Sequence, residues 1–441
     1  MIVERVVLEN FGPFFSCRAS LEAAPAACVP PDGSPEGSAG PSPDAASAGS
    51  AWLVAGGSRQ EQSGFLDGLA RLLSCFVQAM RRSRRAGVLA GVPFPVPSPS
   101  AGAPQAVPGS LVPDRPAVPS PAASLACTVR SGRSSFSWRL AKAGEGARTR
   151  RASALGDARF LAGLYLQRRI RDHGCSLPLV ACYPRDRRLF AGTGPGSRAD
   201  SCFDAYDAGF GAKARLCRFL TLAGVACAGS GSPVSASTAS GAAPGTALGC
   251  VVPPERLKAC ILAALQPLFP DCTDLALQGG PRPRLLLERE GGVRDLAFLP
   301  RGDALLGALA ADMACRLALL NPALANPLEG GGIVLIDGLD QGLPGACGPA
   351  LPESALPESA RPDSALSGQA RDGAVRPGPS LSLAGAVQGL RTAFPRCQFV
   401  FTAGDAVSGP AGADQALALA EACGARLCRL ELHRRPASGG A

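Results

Sequence analysis

The chain has 441 residues, enough for one large domain or two smaller ones, and its 46% hydrophobic content suffices for a globular core. Its 17 cysteines form no Cys-x-x-Cys pair and are accompanied by only two histidines, which argues against a zinc or disulfide scaffold and for small buried hydrophobes in a reducing cytosol. The net charge of +9 comes almost wholly from arginine and allows contact with nucleic acid or a membrane surface without establishing either, while Glu4, Arg5, Glu9 and Asn10 in the first apolar run argue against a signal peptide or membrane span.

In chain order, residues 2–15 read as a strand, a turn at Asn10-Phe11-Gly12-Pro13 and a second strand. Residues 23–50 are rich in Ala, Pro, Gly and Ser and read as a flexible insert. Residues 51–55 form a short apolar strand, 56–63 a Gly/Ser-containing loop, and 65–73 a helix. A loop at that place wraps phosphate when glycines free its backbone N–H groups, a lysine reaches the β/γ-phosphates and a Ser/Thr hydroxyl meets Mg²⁺. The bland alternative is an ordinary strand–turn–helix, whose helix start still attracts anions.

The basic cluster at 81–85 reads as a solvated helix end, and 92–123 as a second flexible insert. Strands are expected in 127–143 and a helix over 152–171 carrying Tyr165. The run 177–183 is an apolar strand that breaks into a charged turn at Pro184-Arg185-Asp186-Arg187. Tyr206 is assigned to the core, 213–222 to a helix, and 223–249 to a further insert. Residues 254–269 are amphipathic, with Leu257, Ile261, Leu262 and Leu265 facing inward, and 282–290 read as a strand and turn.

A helix over 304–320 leads towards Gly331-Gly332-Ile333-Val334-Leu335-Ile336-Asp337. Four aliphatic residues ending on a carboxylate before a Gly/Pro-rich turn describe a buried parallel strand. Ligands of open α/β sheets sit at such carboxyl ends, where an aspartate can hold Mg²⁺ beside a nucleotide. The bland alternative is a core strand capped by a turn aspartate. Residues 345–379 repeat Leu-Pro-Glu-Ser-Ala and Arg-Pro-Asp-Ser-Ala and read as a low-complexity insert. A core strand at 399–402, a helix at 416–425 and an edge strand at 427–432 complete the chain.

The block from Asn321 to Asp337 and the run from Phe394 to Thr402 resemble the RecF-like and SMC-like ABC-type ATPases, most of all the bacterial group described as predicted ATP-binding proteins involved in virulence. The resemblance runs discontinuously from Ile2 to about Leu432 and implies an α/β fold. That fold is an ABC-type P-loop NTPase head with a mixed or parallel core sheet, a β-rich lobe and a helical insertion. It further implies one discontinuous domain over 1–441, with 127–295 forming the lobe and insertion. Carried over residue by residue, Gly56, Gly57, Ser58, Arg59, Gln62, Ser63, Arg301 and Gly302 are the nucleotide-binding candidates, and Asp337 and Ser63 the metal ligands.

The departures from the family fall together. Gln62 stands in place of the loop lysine, and Arg59 and Glu61 in place of later glycines. Gly338 stands where the catalytic glutamate belongs, Pro300 replaces the signature serine, and Thr402-Ala403-Gly404-Asp405 lacks the family's histidine. ATP and Mg²⁺ are therefore expected to bind weakly or not at all, and no catalytic residue is assigned. The function implied is a nucleotide-responsive or purely structural regulatory protein with little hydrolysis; the alternative is an active ATPase in DNA transactions or phage defence. The implied partners are a second copy through the signature-loop face, nucleic acid and a protein effector, in the cytoplasm and without a membrane.

Overall fold

The computed structural model describes residues 1–22, 49–85, 122–143, 153–185, 202–206, 252–278, 284–343, 381–404 and 412–433. The insert 223–249, the helix expected at 213–222, and nearly all of 23–50, 92–123 and 345–379 lie outside the described residues.

The chain opens with the hairpin β1 (Ile2–Phe11) and β2 (Phe14–Ser20), antiparallel with Phe11 opposite Phe14. Gly12, at φ +53°, and Pro13 form its two-residue turn, where a leading glycine takes the positive φ that such loops demand. A bulge between Val3 and Arg5 resets the alternation, so that Val3, Val6 and Leu8 all point inward. A second hairpin, β4 (Ala122–Ser131) and β5 (Ser134–Ala143), pairs with β1. Its first strand begins inside the stretch expected to be an insert.

The second sheet is parallel and five-stranded. β3 (Ala51–Ala55), β6 (Leu179–Tyr183), β10 (Gly332–Ile336), β11 (Cys397–Phe401) and β12 (Arg426–Arg429) run in the order β12-β3-β11-β10-β6. β3, β10 and β11 are buried at every position, which explains their unbroken apolar runs: strands covered on both faces have no solvent side to mark. The strand ending at Asp337 is therefore a central strand of a parallel sheet, as its sequence indicated. A third, smaller sheet joins β7 (Cys272–Gln278), β8 (Arg284–Arg289) and β9 (Gly292–Asp295).

Residues 427–432 behave differently from the expected single edge strand. β12 closes the parallel sheet beside β3, Leu430 donates its N–H to Ala55 O at 3.0 Å, and β13 (Glu431–His433) then pairs with β2 in the antiparallel sheet. One buried residue, Leu430, carries the chain from one sheet to the other. The antiparallel sheet, ordered β13-β2-β1-β4-β5, thus draws on both ends of the chain and reaches well outside 127–295. A side-chain amide ties the two sheets together: Gln398 Nε2 donates to Val3 O at 3.0 Å, and Val3 N–H donates to Gln398 Oε1 at 2.7 Å.

Six α-helices complete the described residues: α1 (Arg59–Arg85), α2 (Gly156–Arg171), α3 (Pro254–Leu265), α4 (Arg301–Leu320), α5 (Leu383–Ala393) and α6 (Gly412–Ala422). α1 lies between the two large sheets, and Trp138 of β5 donates its indole N–H to Leu72 O at 2.9 Å. It starts six residues before the expected 65 and runs on to 85. α3 buries Leu257, Ile261 and Leu265 as its periodicity indicated, whereas Leu262 is only half-buried against the core and the helix ends at Leu265 rather than 269. α4 is buried on nearly every face, an all-round apolar helix of the kind that fills a core. Two of its charged residues, Asp312 and Arg316, are fully buried and pair at 2.7 Å. Tyr183 donates its hydroxyl to Asp312 Oδ2 at 2.6 Å, and Arg316 reaches Ala205 O at 2.7 Å. Tyr206 is in the core, its hydroxyl donating to Pro178 O at 2.7 Å.

Candidate functional site: the carboxyl edge of the parallel sheet

The carboxyl ends of β3, β11, β10 and β6 bring four segments of the sequence to one edge. They are Gly56-Gly57-Ser58, Thr402-Ala403-Gly404, Asp337-Gly338 and Pro184-Arg185. β11 separates β3 from β10, so the Gly56 loop and Asp337 stand two strand spacings apart, roughly 10 Å.

The loop after β3 is short. Only Gly56, Gly57 and Ser58 are non-helical, the two glycines at φ +98° and +69°, and Arg59 already begins α1. The expected loop of 56–63 is thus reduced to three residues, because Ser58-Arg59-Gln60-Glu61 forms a reciprocal cap. Glu61 N–H donates to Ser58 Oγ at 3.3 Å, and Ser58 N–H donates to Glu61 Oε2 at 2.5 Å. The carboxylate also closes over Gly57, where an added Cβ would lie 2.5 Å from Glu61 Oε2 and 2.9 Å from Leu432. The helix start that would attract an external anion is therefore met by the chain's own carboxylate. Gln62, at the lysine position, is 1% exposed, whereas Ser58 and Arg59 are exposed and Ser63 is half-buried.

Asp337 is buried, and its Oδ1 accepts the Thr402 hydroxyl at 2.7 Å. Thr402 Oγ1 in turn accepts Gly338 N–H at 2.7 Å, and Asp337 N–H continues the ladder to Tyr183 O at 2.9 Å. These bonds cross-link the ends of three adjacent strands and fix the carboxylate. Gly338 adopts φ +63°. A Cβ built there would lie 3.3 Å from Arg185 Cγ and 3.4 Å from Arg185 Cζ, so the guanidinium occupies the space a longer residue would need.

Arg301 and Gly302 open α4. Gly302 is buried against the turn beyond Asp337, where an added Cβ would lie 2.5 Å from Gly342 O. Pro300 is the N-cap residue and supplies no side-chain cap. The Asp303 carboxylate takes the N–H of Leu381, and burial pushes its carboxyl above the usual range. Signature loop and strand-end turn therefore pack together within one chain, and Arg301 stays exposed.

Two residues in the most specific sequence blocks have structural roles. Asn321, fully buried, accepts Leu177 N–H at 2.7 Å and donates to Leu177 O at 3.2 Å, holding the lead-in to β6. Gln398 does the same for Val3. Arg185 also stands at this edge although sequence reasoning gave it no role; its signal was a charged turn directly after an apolar strand that shares the edge with Asp337.

No protein-family model matches the chain. Over 77 residues it is 40% identical to the Retron Ec83 probable ATPase of Escherichia coli, 18% of this chain and 14% of that protein. Over 85 residues it is 34% identical to the Retron Vc95 probable ATPase of Vibrio cholerae serotype O1 biovar El Tor, 19% of this chain and 16% of that protein. Over these stretches the chain is similar to retron probable ATPases, and it spans about one sixth or less of either one's length. The SMC head domain from Thermotoga maritima overlaps 99% of this chain and 100% of its own, with TM-score 0.37 and 11% identity. The SmcHead bound to the C-winged helix domain of ScpA overlaps 92% and 90%, with TM-score 0.38 and 11% identity. Overlaps that loose assign no activity. The local identity and a parallel sheet that gathers four loop segments at one edge are the two findings that bear on function.

Proposed function

We propose that this chain is an ABC/SMC-like head that has lost efficient ATP hydrolysis and acts in the cytoplasm as a regulatory or structural protein. The observation that carries this reading is the reciprocal cap between Ser58 and Glu61. It takes up the Ser58 N–H, places a carboxylate over Gly57 and leaves a three-residue loop. These residues do not fit ATP·Mg²⁺ in the ordinary phosphate-loop manner. Gln62 is buried and uncharged, and no glutamate follows Asp337 to orient water. Residual nucleotide contact is assigned to Gly56, Gly57, Ser58, Arg59 and Ser63. Arg301 and Gly302 of a second copy would complete it, and any metal would fall to Asp337 and Ser63.

Mg²⁺-dependent ATP turnover by the purified chain should be negligible. A turnover number on the order of 1 s⁻¹ that disappears in Asp337→Ala would overturn the proposal. It would instead support the second reading, an active ATPase in DNA transactions or phage defence, which the identity to retron probable ATPases favours. Among the described residues no helix is long and apolar enough to cross a membrane.

A further inference from the structure

Among the described residues, the carboxyl edge holds a half-buried cation at the end of β6, Arg185. Its Cγ and Cζ lie 3.3 and 3.4 Å from where a Cβ on Gly338 would be, and among the described residues it forms no ion pair and no hydrogen bond. A guanidinium carries five N–H donors in a planar fork suited to carboxylate or phosphate, and leaving them unmet in a partly desolvated place is costly. The backbone is arranged to receive it. Gly338 has no side chain, and its left-handed φ of +63° discourages one. Asp337, the acid one residue away, already accepts the Thr402 hydroxyl with Oδ1. The guanidinium stands where a side chain on residue 338 would project, so this edge presents a positive group where the family places a negative one.

We propose that Arg185 makes the carboxyl edge a metal-independent site for a phosphate-bearing ligand. The inference rests on the reading that this edge is the ligand edge of an ABC/SMC-like head; it deepens that reading by naming the residue and the ligand class. A phosphate oxygen pair meets the Arg185 fork, and no Mg²⁺ is required because the protein itself supplies the positive charge beside the phosphate. The Arg185 site does not require the α1 N-terminus, which Glu61 caps.

Titration calorimetry with sodium tripolyphosphate, in buffer containing EDTA, tests this on the full chain. Wild type should bind, Arg185→Ala should weaken binding by about tenfold or more, and Arg185→Lys should fall between, because it keeps the charge and loses the fork. Circular dichroism and thermal melting of both variants establish that they fold; Arg185→Gln serves in place of Arg185→Ala if that one does not. Absence of binding by wild type in EDTA would overturn the proposal. So would equal binding by wild type and folded Arg185→Ala or Arg185→Gln, or binding that appears only with Mg²⁺ and vanishes in Asp337→Ala. The equal-binding result and the turnover assay of the proposed function separate the failures. Unchanged affinity in the Arg185 variants removes this site while leaving the hydrolysis-deficient reading intact, whereas Mg²⁺-dependent turnover removes that reading without touching EDTA-resistant binding.

Discussion

Gly338 shows how far one residue departs from what alignment to a family suggests. Placing a glutamate there looks like restoration, yet the backbone is left-handed and Arg185 fills the adjoining space. Gly338→Glu should therefore destabilise the fold by about 1–2 kcal/mol from the backbone alone, and turnover should stay at the wild-type level. Urea unfolding together with an ATPase assay checks both parts; wild-type stability with a rise in turnover would contradict the placement. Gln62→Lys is similarly compromised, because it would bury an ammonium. At Gly404, φ is +32°, again in the region that favours glycine. Each of these positions is thus fitted to its local backbone or packing, and a single replacement there should meet resistance from both.

At the scale of the element, α4 is held by polar chemistry inside an apolar core. Asp312, Arg316 and Tyr183 bind α4 to β6, and Arg316 also grips Ala205 in the short helical turn Cys202–Tyr206. Burial, then the Asp312 carboxylate, push the Tyr183 hydroxyl well above its usual range, so it remains a donor. Asp312 Oδ1 has no hydrogen-bond partner, which places this cluster near the limit of what a core tolerates. Arg316→Met, by stranding the Asp312 charge, should cost about 3–5 kcal/mol. Adding Asp312→Leu and Tyr183→Phe should recover most of that loss, since no charge is then left buried. Chemical denaturation of the single and triple variants measures the difference; a single variant as stable as wild type would show that the pair contributes little.

Across the whole molecule, the cysteines behave as packing residues. All twelve described cysteines are free. Burial pushes the thiols of Cys17, Cys182, Cys397 and Cys428 up to about 12. At pH 8 such thiols are thiolate in only about one part in ten thousand. Iodoacetamide labelling of the native protein at pH 8, read by mass spectrometry, should leave these four largely unmodified over a time in which free cysteine reacts completely, and should reach them on unfolding. Rapid native labelling of Cys397 or Cys428 would mean that the parallel sheet opens at its centre or its β12 edge.

The sequence by itself determined the parallel strands, because segments buried on both faces must be continuously apolar, and Asp337 at a strand end follows from that run and the turn after it. The expected departure of Gln62, Pro300 and Gly338 from ABC-type nucleotide motifs likewise rests on residue identity alone and needs no coordinates. Only the tertiary structure decided that Glu61 caps its own helix, that Leu430 passes the chain between two sheets, and that Asn321 and Gln398 act as backbone clamps. It alone placed Arg185 on Gly338. The reason is physical. Local pattern records how much of a segment is buried, whereas which distant backbone group or charge a polar side chain meets is set by strand order, and strand order is a property of the assembled sheet.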